Sequence, residues 1–412
     1  MSRLSRCLDL TILIGMRRSH PLSSSLSEDT QRLTVASRLY AASYDGKVTE
    51  LSLTNNGANY QLLGRTQTNG CGASPSWLMV DRVHDIIYCL DEAVDGLNGT
   101  LTSFRANLNG SLTVVEQLQT IIGPVASAVY MPANAPSRQF FAVAHYAGSA
   151  VTSYVVDPIS GLFKNSQSFS YTMSRPGPVP SRQDASHPHG VAVDPTGSFV
   201  LVPDLGADLV RIYRINASTG HLEEQQPLIV TPGSGPRHAV FWSPKQSGAA
   251  HPQNSRFYLV TELDNGVRGY DVSYSSNGTI LFSQLYEENT YGGSNPPAGS
   301  KAAEISLSPR NDQLLISNRD DATYGPNNDS IALFSLPEQN QNRTLLFQGL
   351  YPAYGAFPRH FQFSPDGDML AIALQNSNKV AVVAWNGREK AIGPLLAETT
   401  LGGEVTAVVW GP

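Results

Sequence analysis

The chain has 412 residues, enough for several domains or one large closed architecture, with 41% hydrophobic residues and only 15% charged against a usual figure of about 25%. A formal net charge of −6 argues against the basic face that nucleic acid demands, and no apolar run is long enough to cross a bilayer, so neither is an expected partner. With 35 Gly and 27 Pro, the composition points to many tight turns and not to disorder.

Residues 1–37 differ from the rest. They carry Arg3, Arg6, Arg17 and Arg18, a short apolar run from Leu10 to Met16, and then the polar stretch around Ser23 to Asp29. The run sits at the lower length limit for a signal peptide, has Asp9 at its edge and lacks a small-residue cleavage site, so a disordered extension is the expectation, with a poor targeting segment as the alternative. Six Asn-x-Ser/Thr sequons (Asn98, Asn109, Asn216, Asn277, Asn328 and Asn342) would suit secretion, but roughly four are expected by chance in so polar a chain. A cytoplasmic location is therefore favoured, with secretion as the alternative.

The three cysteines, Cys7, Cys71 and Cys89, have no zinc-type spacing. A chain of this size builds its own core, which favours free thiols; a Cys71 to Cys89 disulfide is the alternative.

From Arg38 onward one unit recurs: an apolar strand, a turn, a second apolar strand, a polar patch, and a third strand rich in Val, Tyr and Leu. The clearest copies are His189 to Asp204 and Arg359 to Gln375. Their turns, Asp194-Pro-Thr-Gly197 and Ser364-Pro-Asp-Gly367, read as hairpins. First strands begin near Ser76, Ala126, His189, His238, Ala303, Arg359 and Val405, a spacing of propeller blades. The N-terminal unit from Arg38 lacks a first strand, and Glu404 to Trp410 is a first strand without a unit. The sequence thus predicts an all-β, seven-bladed β-propeller over residues 38–412, closed by the C-terminal strand completing the N-terminal blade. A pair of β-sandwiches or a β-helix fits less well, because neither needs seven units with matched broken ends.

Polar residues interrupt the apolar pattern at two positions per unit. Around the start of the first strand stand Ser76, Ala126, His189, Arg237 with His238, Ala303 with Glu304, and Arg359 with His360. At the end of the second stand Tyr44, Asp91, Tyr146 (with His145), Asp204, Glu262, Arg319 and Gln375. These positions are neighbours across one hairpin end, so they are expected to converge at one mouth of the central channel. Arg supplies bidentate anion capture, and His or Glu can carry protons. Any one Arg and Glu pair, such as Arg237 with Glu262 or Arg319 with Glu304, is equally well explained as a structural plug. His187-Pro-His189 could ligate a metal, but no third ligand follows at a dependable spacing and the arginines would repel a cation.

The segments Ser186-His-Pro-His-Gly190, Gly235-Pro-Arg-His238, Thr261-Glu-Leu263, Ala302-Ala-Glu-Ile305, Ser317-Asn-Arg319 and Phe357-Pro-Arg-His360, in that order, resemble the seven-bladed lactonase family. That family includes propeller-type 6-phosphogluconolactonases and fungal 3-carboxy-cis,cis-muconate lactonising enzymes. The resemblance implies a site without metal or other cofactor that binds a small anionic organic acid or lactone. It carries over His189, Arg237, Glu262 and Arg319 as catalytic residues, His189 and Glu262 forming the acid/base pair. His187, His238, Glu304, Arg359 and His360 follow as substrate-binding residues. Lactone hydrolysis is the leading expectation, with carboxymuconate cycloisomerisation or a non-catalytic binding propeller as alternatives. A polar pocket holding the four catalytic candidates supports chemistry; a channel closed by Arg to Glu pairs supports a scaffold.

Overall fold

A computed structural model describes residues 35–57, 59–243, 255–337 and 345–412. The N-terminal segment to residue 34 lies outside them, as do residues 244–254. The chain forms β1 (Val35–Ser43), β2 (Lys47–Asn55) and β3 (Tyr60–Thr68), beginning three residues before the expected boundary. Then come β4 (Pro75–Asp81), β5 (Ile86–Asp91), β6 (Gly99–Ala106) and β7 (Leu112–Thr120). The third group is β8 (Pro124–Tyr130), β9 (Gln139–His145), β10 (Ala150–Val156) and β11 (Phe163–Ser170). The fourth is β12 (Ala192–Val193), β13 (Phe199–Asp204), β14 (Leu209–Ile215) and β15 (Leu222–Ile229). Next are β16 (Pro236–Trp242), β17 (Arg256–Thr261), β18 (Gly266–Tyr274) and β19 (Ile280–Asn289). The last two groups are β20 (Lys301–Leu307), β21 (Gln313–Arg319), β22 (Ser330–Ser335) and β23 (Leu346–Pro352), then β24 (Pro358–Phe363), β25 (Met369–Leu374), β26 (Lys379–Asn386) and β27 (Ala391–Thr400). The chain ends with β28 (Val405–Trp410).

Each group is an antiparallel four-stranded sheet, and the first has the order β28-β1-β2-β3. Trp410 pairs with Leu39 and Ala407 with Ala42, so the C-terminal strand supplies the missing inner strand of the N-terminal blade. The first strands touch in succession, β4 to β8, β8 to β12, and so on to β28 and back to β4, forming one closed inner ring. The expected hairpins are present: Gly197 (φ +66°) and Gly367 (φ +74°) close the β12–β13 and β24–β25 turns in a conformation that suits glycine.

Second strands such as β5, β13 and β17 are buried at every position, because they face a neighbouring blade on both sides. One such layer joins Leu39, Leu51 and Leu53 of the first blade to Ala371, Val380 and Val382 of the last. Outer strands such as β7 alternate towards solvent.

The expectation of free thiols is corrected: Cys71 and Cys89 form a disulfide, with Cα atoms 5.9 Å apart. Both are fully buried, and the bond ties the loop after β3 to the middle of β5. Core size does not decide this pairing; the distance of that loop from β5 does, and spacing along the chain does not report it.

One irregularity recurs at the inner end of the first strands. Pairing with the second strand skips a residue at Ser76, Val125, Arg237 and Arg359, and two residues at Ala303 and Glu304; Thr406 is skipped between β28 and β1. Such a bulge bends the strand and re-aims its side chains, so consecutive residues face one region. Arg237 and His238 are accordingly both buried there, at 2% and 6% exposure. Where the bulged residue bears a hydroxyl it latches the next blade: Thr406 Oγ1 donates to the Pro75 carbonyl (2.6 Å) and Ser76 Oγ to that of Pro124 (2.8 Å).

The fourth blade departs furthest from expectation. Its first strand was placed at His189, but β12 is reduced to Ala192 and Val193, and His187 to Gly190 run beside β13 outside regular strand pairing. Two backbone bonds, His189 N–H to the Pro203 carbonyl (2.8 Å) and Leu205 N–H to the His187 carbonyl (2.9 Å), tie that segment to β13 and the residue after it, and the Asp204 carboxylate adds a third by accepting from the His187 N–H (2.7 Å). Gly190 passes so close to β16 that a Cβ there would lie 2.6 Å from the Arg237 carbonyl oxygen.

Candidate active site

The inner ends of the first strands, the residues that follow the second strands, and the long loop between β11 and β12 meet at one end of the inner ring. Glu262 is at the centre. Its backbone N–H donates to the Gly235 carbonyl (2.8 Å), which carries the β16–β17 pairing one residue beyond β17 and aims the side chain inwards. Three guanidiniums converge on it: Arg182 Nη1 at 2.5 Å, Arg319 Nη2 at 2.8 Å and Arg237 Nε at 3.0 Å. Glu262 and Arg237 are 1% and 2% exposed, whereas the Arg182 side chain is 31% exposed.

One carboxylate balances one of these three positive charges. Burial works against ionisation of Glu262, but the fields of Arg319, Arg182 and Arg237 overcome it and hold the carboxyl down at about 2. The surplus shows on the cations: burial, then the repulsion of Arg319, pushes Arg237 down to about 9. Arg237 Nη1 and Arg319 Nε are buried with no hydrogen-bond partner among the described residues.

Beside this cluster runs a chain of three buried side chains. Glu304 Oε1 accepts from His238 Nδ1 (3.0 Å) and from the Ile305 N–H (3.0 Å), and His238 Nε2 lies 3.1 Å from His189 Nδ1. Burial disfavours charging either imidazole, and Arg237 adds to it, so His189 is held well below the usual range and His238 is lowered despite Glu304. Glu304 stays near 2 because His238, and then His360, outweigh the cost of its burial.

The remaining candidates surround this core. His360 accepts a 3.4 Å bond from the Val408 N–H at Nδ1, and burial pushes it down to about 4. The Trp77 ring meets His360 and His238 edge-on at 5.0 and 5.7 Å. Arg359 bonds the Tyr44 hydroxyl and reaches Glu92 at 3.5 Å. His187 stacks on Tyr146 at 4.2 Å, donates to the Tyr146 carbonyl (2.8 Å) and lies 3.0 Å from Asp184. Tyr146 also presents an edge to His189 at 5.8 Å.

All nine sequence candidates therefore gather at one end of the ring, but two pairings differ from expectation. Glu304 was set against Arg319 and instead bonds His238, while Arg319 joins Arg237 on Glu262. Glu262, expected as half of an acid/base pair, is the common anion of three arginines. Asp91 and Asp204 do not face the site: Asp91 accepts from the Ser74 N–H, and Asp204 from the His187 N–H, Ser186 Oγ and Arg211, bracketing the turns.

Sequence reading missed Arg182, Glu92 and Trp77. Glu92 and Trp77 each stand one residue beyond an aligned position, and the adjacent polar pair Arg237-His238 was the signal that two consecutive residues face inwards. Arg182 lies in the loop between β11 and β12, outside any repeat. The fully buried Gln183 shapes that loop, donating to the Leu205 carbonyl (2.9 Å) and accepting from the Val179 N–H (3.0 Å).

A family model described as lactonase, 7-bladed beta-propeller, matches residues 38–410. A protein of Arthroderma benhamiae named "Probable 6-phosphogluconolactonase" is 31% identical over 333 residues, which is 80% of this chain and 78% of the relative. A 6-phosphogluconolactonase of Formosa agariphila is 28% identical over 299 residues, 72% of this chain and 77% of its own. Among solved structures, the periplasmic gluconolactonase of Pseudomonas aeruginosa superposes with a TM-score of 0.73 over 92% of this chain and 99% of its own, at 24% identity, a likeness of fold.

Proposed function

We propose that this chain, which belongs to the seven-bladed β-propeller lactonase family, hydrolyses an anionic sugar lactone of the 6-phosphogluconolactone type at the mouth of its central channel. One observation carries the reading: three guanidiniums held by a single carboxylate stand beside a pair of imidazoles that burial keeps uncharged. A scaffold plug would balance its charges. Here a surplus of positive charge remains for a substrate anion and for the lactone carbonyl oxygen. The names of the two curated relatives point the same way.

In this reading Arg182, the most exposed of the three, takes the anionic group, with Arg359 and His187 at the rim. Arg237 and Arg319 face the negative charge that gathers on the carbonyl oxygen. His189 accepts a proton from water as the water oxygen adds to the carbonyl carbon. The tetrahedral adduct then collapses, the ring C–O bond breaks, and that proton passes to the departing oxygen. Glu262 anchors three like charges and carries no proton, since a carboxyl held near 2 stays ionised.

The test is acid release from 6-phosphogluconolactone and from gluconolactone, followed at constant pH with the full chain. Saturable turnover above the spontaneous rate is expected, falling by about 100-fold or more in Arg237→Ala. A folded protein that turns over neither lactone, or that acts on a carboxymuconate instead, overturns the proposal.

A further inference from the structure

The chain Glu304, His238, His189 uses three buried groups in series, and nothing about binding an anion requires that order. Glu304 is the second residue of the bulge in β20, which turns its side chain towards β16, and its backbone N–H is held by Ser317 Oγ at 3.0 Å. Its Oε1 receives two donors, so His238 must carry its proton on Nδ1. A neutral His238 protonated there has only a lone pair at Nε2. The atom 3.1 Å away, His189 Nδ1, is then the donor. We infer that Glu304, acting through His238, fixes the proton of His189 on Nδ1 and leaves its Nε2 as the nitrogen that accepts a proton from the attacking water.

Two observations agree with this. Among the described residues no hydrogen bond occupies His189 Nε2, and it is not a buried orphan either, whereas every other nitrogen of the His189 and His238 pair is engaged. The charged groups that face His189 are Arg237 from β16, Arg319 from β21 and Arg359 from β24, with His238 beside it and the edge of Tyr146 after β9. The three arginines disfavour an imidazolium. A tautomer-setting relay is thus the way to orient this base without charging it at rest. Glu304 and His238 are positioning residues in this scheme, acting on the substrate only through His189.

The inference rests on the proposed lactonase reading for its consequence in rate, but its physical content is separable. Histidine-selective 15N labelling of the full chain, with the His189 ring assigned by its loss in His189→Gln, reads the tautomer directly. At pH 7 the expected state is a protonated Nδ1 and a bare Nε2 on His189. Glu304→Gln should mix or reverse that tautomer and lower kcat by about 100-fold or more with KM changed less than about threefold, the split expected when a general base loses its orientation. Glu304→Asp should restore part of both, and serves in place of Glu304→Gln should the latter not fold. A wild-type His189 protonated on Nε2, or a Glu304→Gln protein with unchanged tautomer and kcat, overturns the relay. Should no lactone be turned over, the proposed function falls and the spectra alone decide the relay.

Discussion

Glu92 and Glu262 occupy the same place in their blades. Each follows the residue that pairs with the proline opening the first strand, Asp91 with Pro75 and Thr261 with Pro236, yet their surroundings drive them in opposite directions. Glu92 meets one guanidinium at 3.5 Å, and burial raises its carboxyl in spite of Arg359; Glu262 meets three within 3.0 Å and falls to about 2. Glu262→Gln should therefore cost about 3–5 kcal/mol, since it leaves buried guanidiniums facing each other with no anion. Glu92→Gln, which resembles the form that burial already favours, should cost about 1 kcal/mol. Urea unfolding of the two variants checks the contrast; equal costs would mean that the number of arginines is not what matters.

Acid should unfold the protein in two stages of the same sign. His145 and His360 are held at about 4 in the folded chain against an ordinary 6.5, mainly by burial, so the folded state resists protons that the unfolded chain accepts. Stability present above pH 6.5 is therefore lost as the pH falls towards 4. Glu262 and Glu304, held near 2 against an ordinary 4.5, contribute stability present above pH 4.5 and lost as the pH falls towards 2. Denaturant midpoints from pH 8 to pH 3 should decline throughout, and a profile flat between pH 7 and pH 4 would contradict the histidine contribution.

Gly190→Ala should damage the site more than the fold. The added Cβ would lie 2.6 Å from the Arg237 carbonyl oxygen and 3.0 Å from the His238 Cα, so β16 must shift by several tenths of an ångström at the two residues that carry the site. Overpacking of this kind costs about 1–3 kcal/mol, a tolerable loss for a protein this size, whereas misplacing Arg237 and His238 should lower kcat/KM by about 100-fold. Comparing the thermal midpoint with lactone turnover for this variant separates the two effects.

The Cys71–Cys89 bond closes a segment of 18 residues. Its loss in the Cys71→Ser, Cys89→Ser double variant should cost roughly 3 kcal/mol. The wild-type protein made under reducing conditions should approach the same stability and recover it on oxidation. Denaturant curves with and without reductant measure this, and identical curves would show that the bond constrains little.

The architecture was legible because it is written as a period. Seven apolar first strands with turn residues between them, and a broken unit at each end, leave one closed arrangement, and Val405 to Trp410 pairs where that logic put it. The convergence of His189, Arg237, Glu262 and Arg319 was legible for the same reason, since equivalent positions of a ring share one end. The partners of each side chain were not. Glu304 chooses His238 over Arg319 because a bulge in β20 turns it, and the apolar Ala302 and Ala303 before it give no sign of that bulge. Arg182 comes from a loop whose shape depends on the hydrogen bonds of Gln183. The disulfide depends on a distance across a blade.

The bulge at the head of the first strands separates what the ring needs from what the site needs. Its hydrogen-bonding geometry belongs to the backbone, so the side chain mounted on it can change without altering the register of the blade. Ser76 and Thr406 use the mount to bolt one blade to the next, while Arg237 and Arg359 use it to deliver charge to the axis. A propeller built this way can be refitted for a different substrate one mount at a time, with the inner ring left standing.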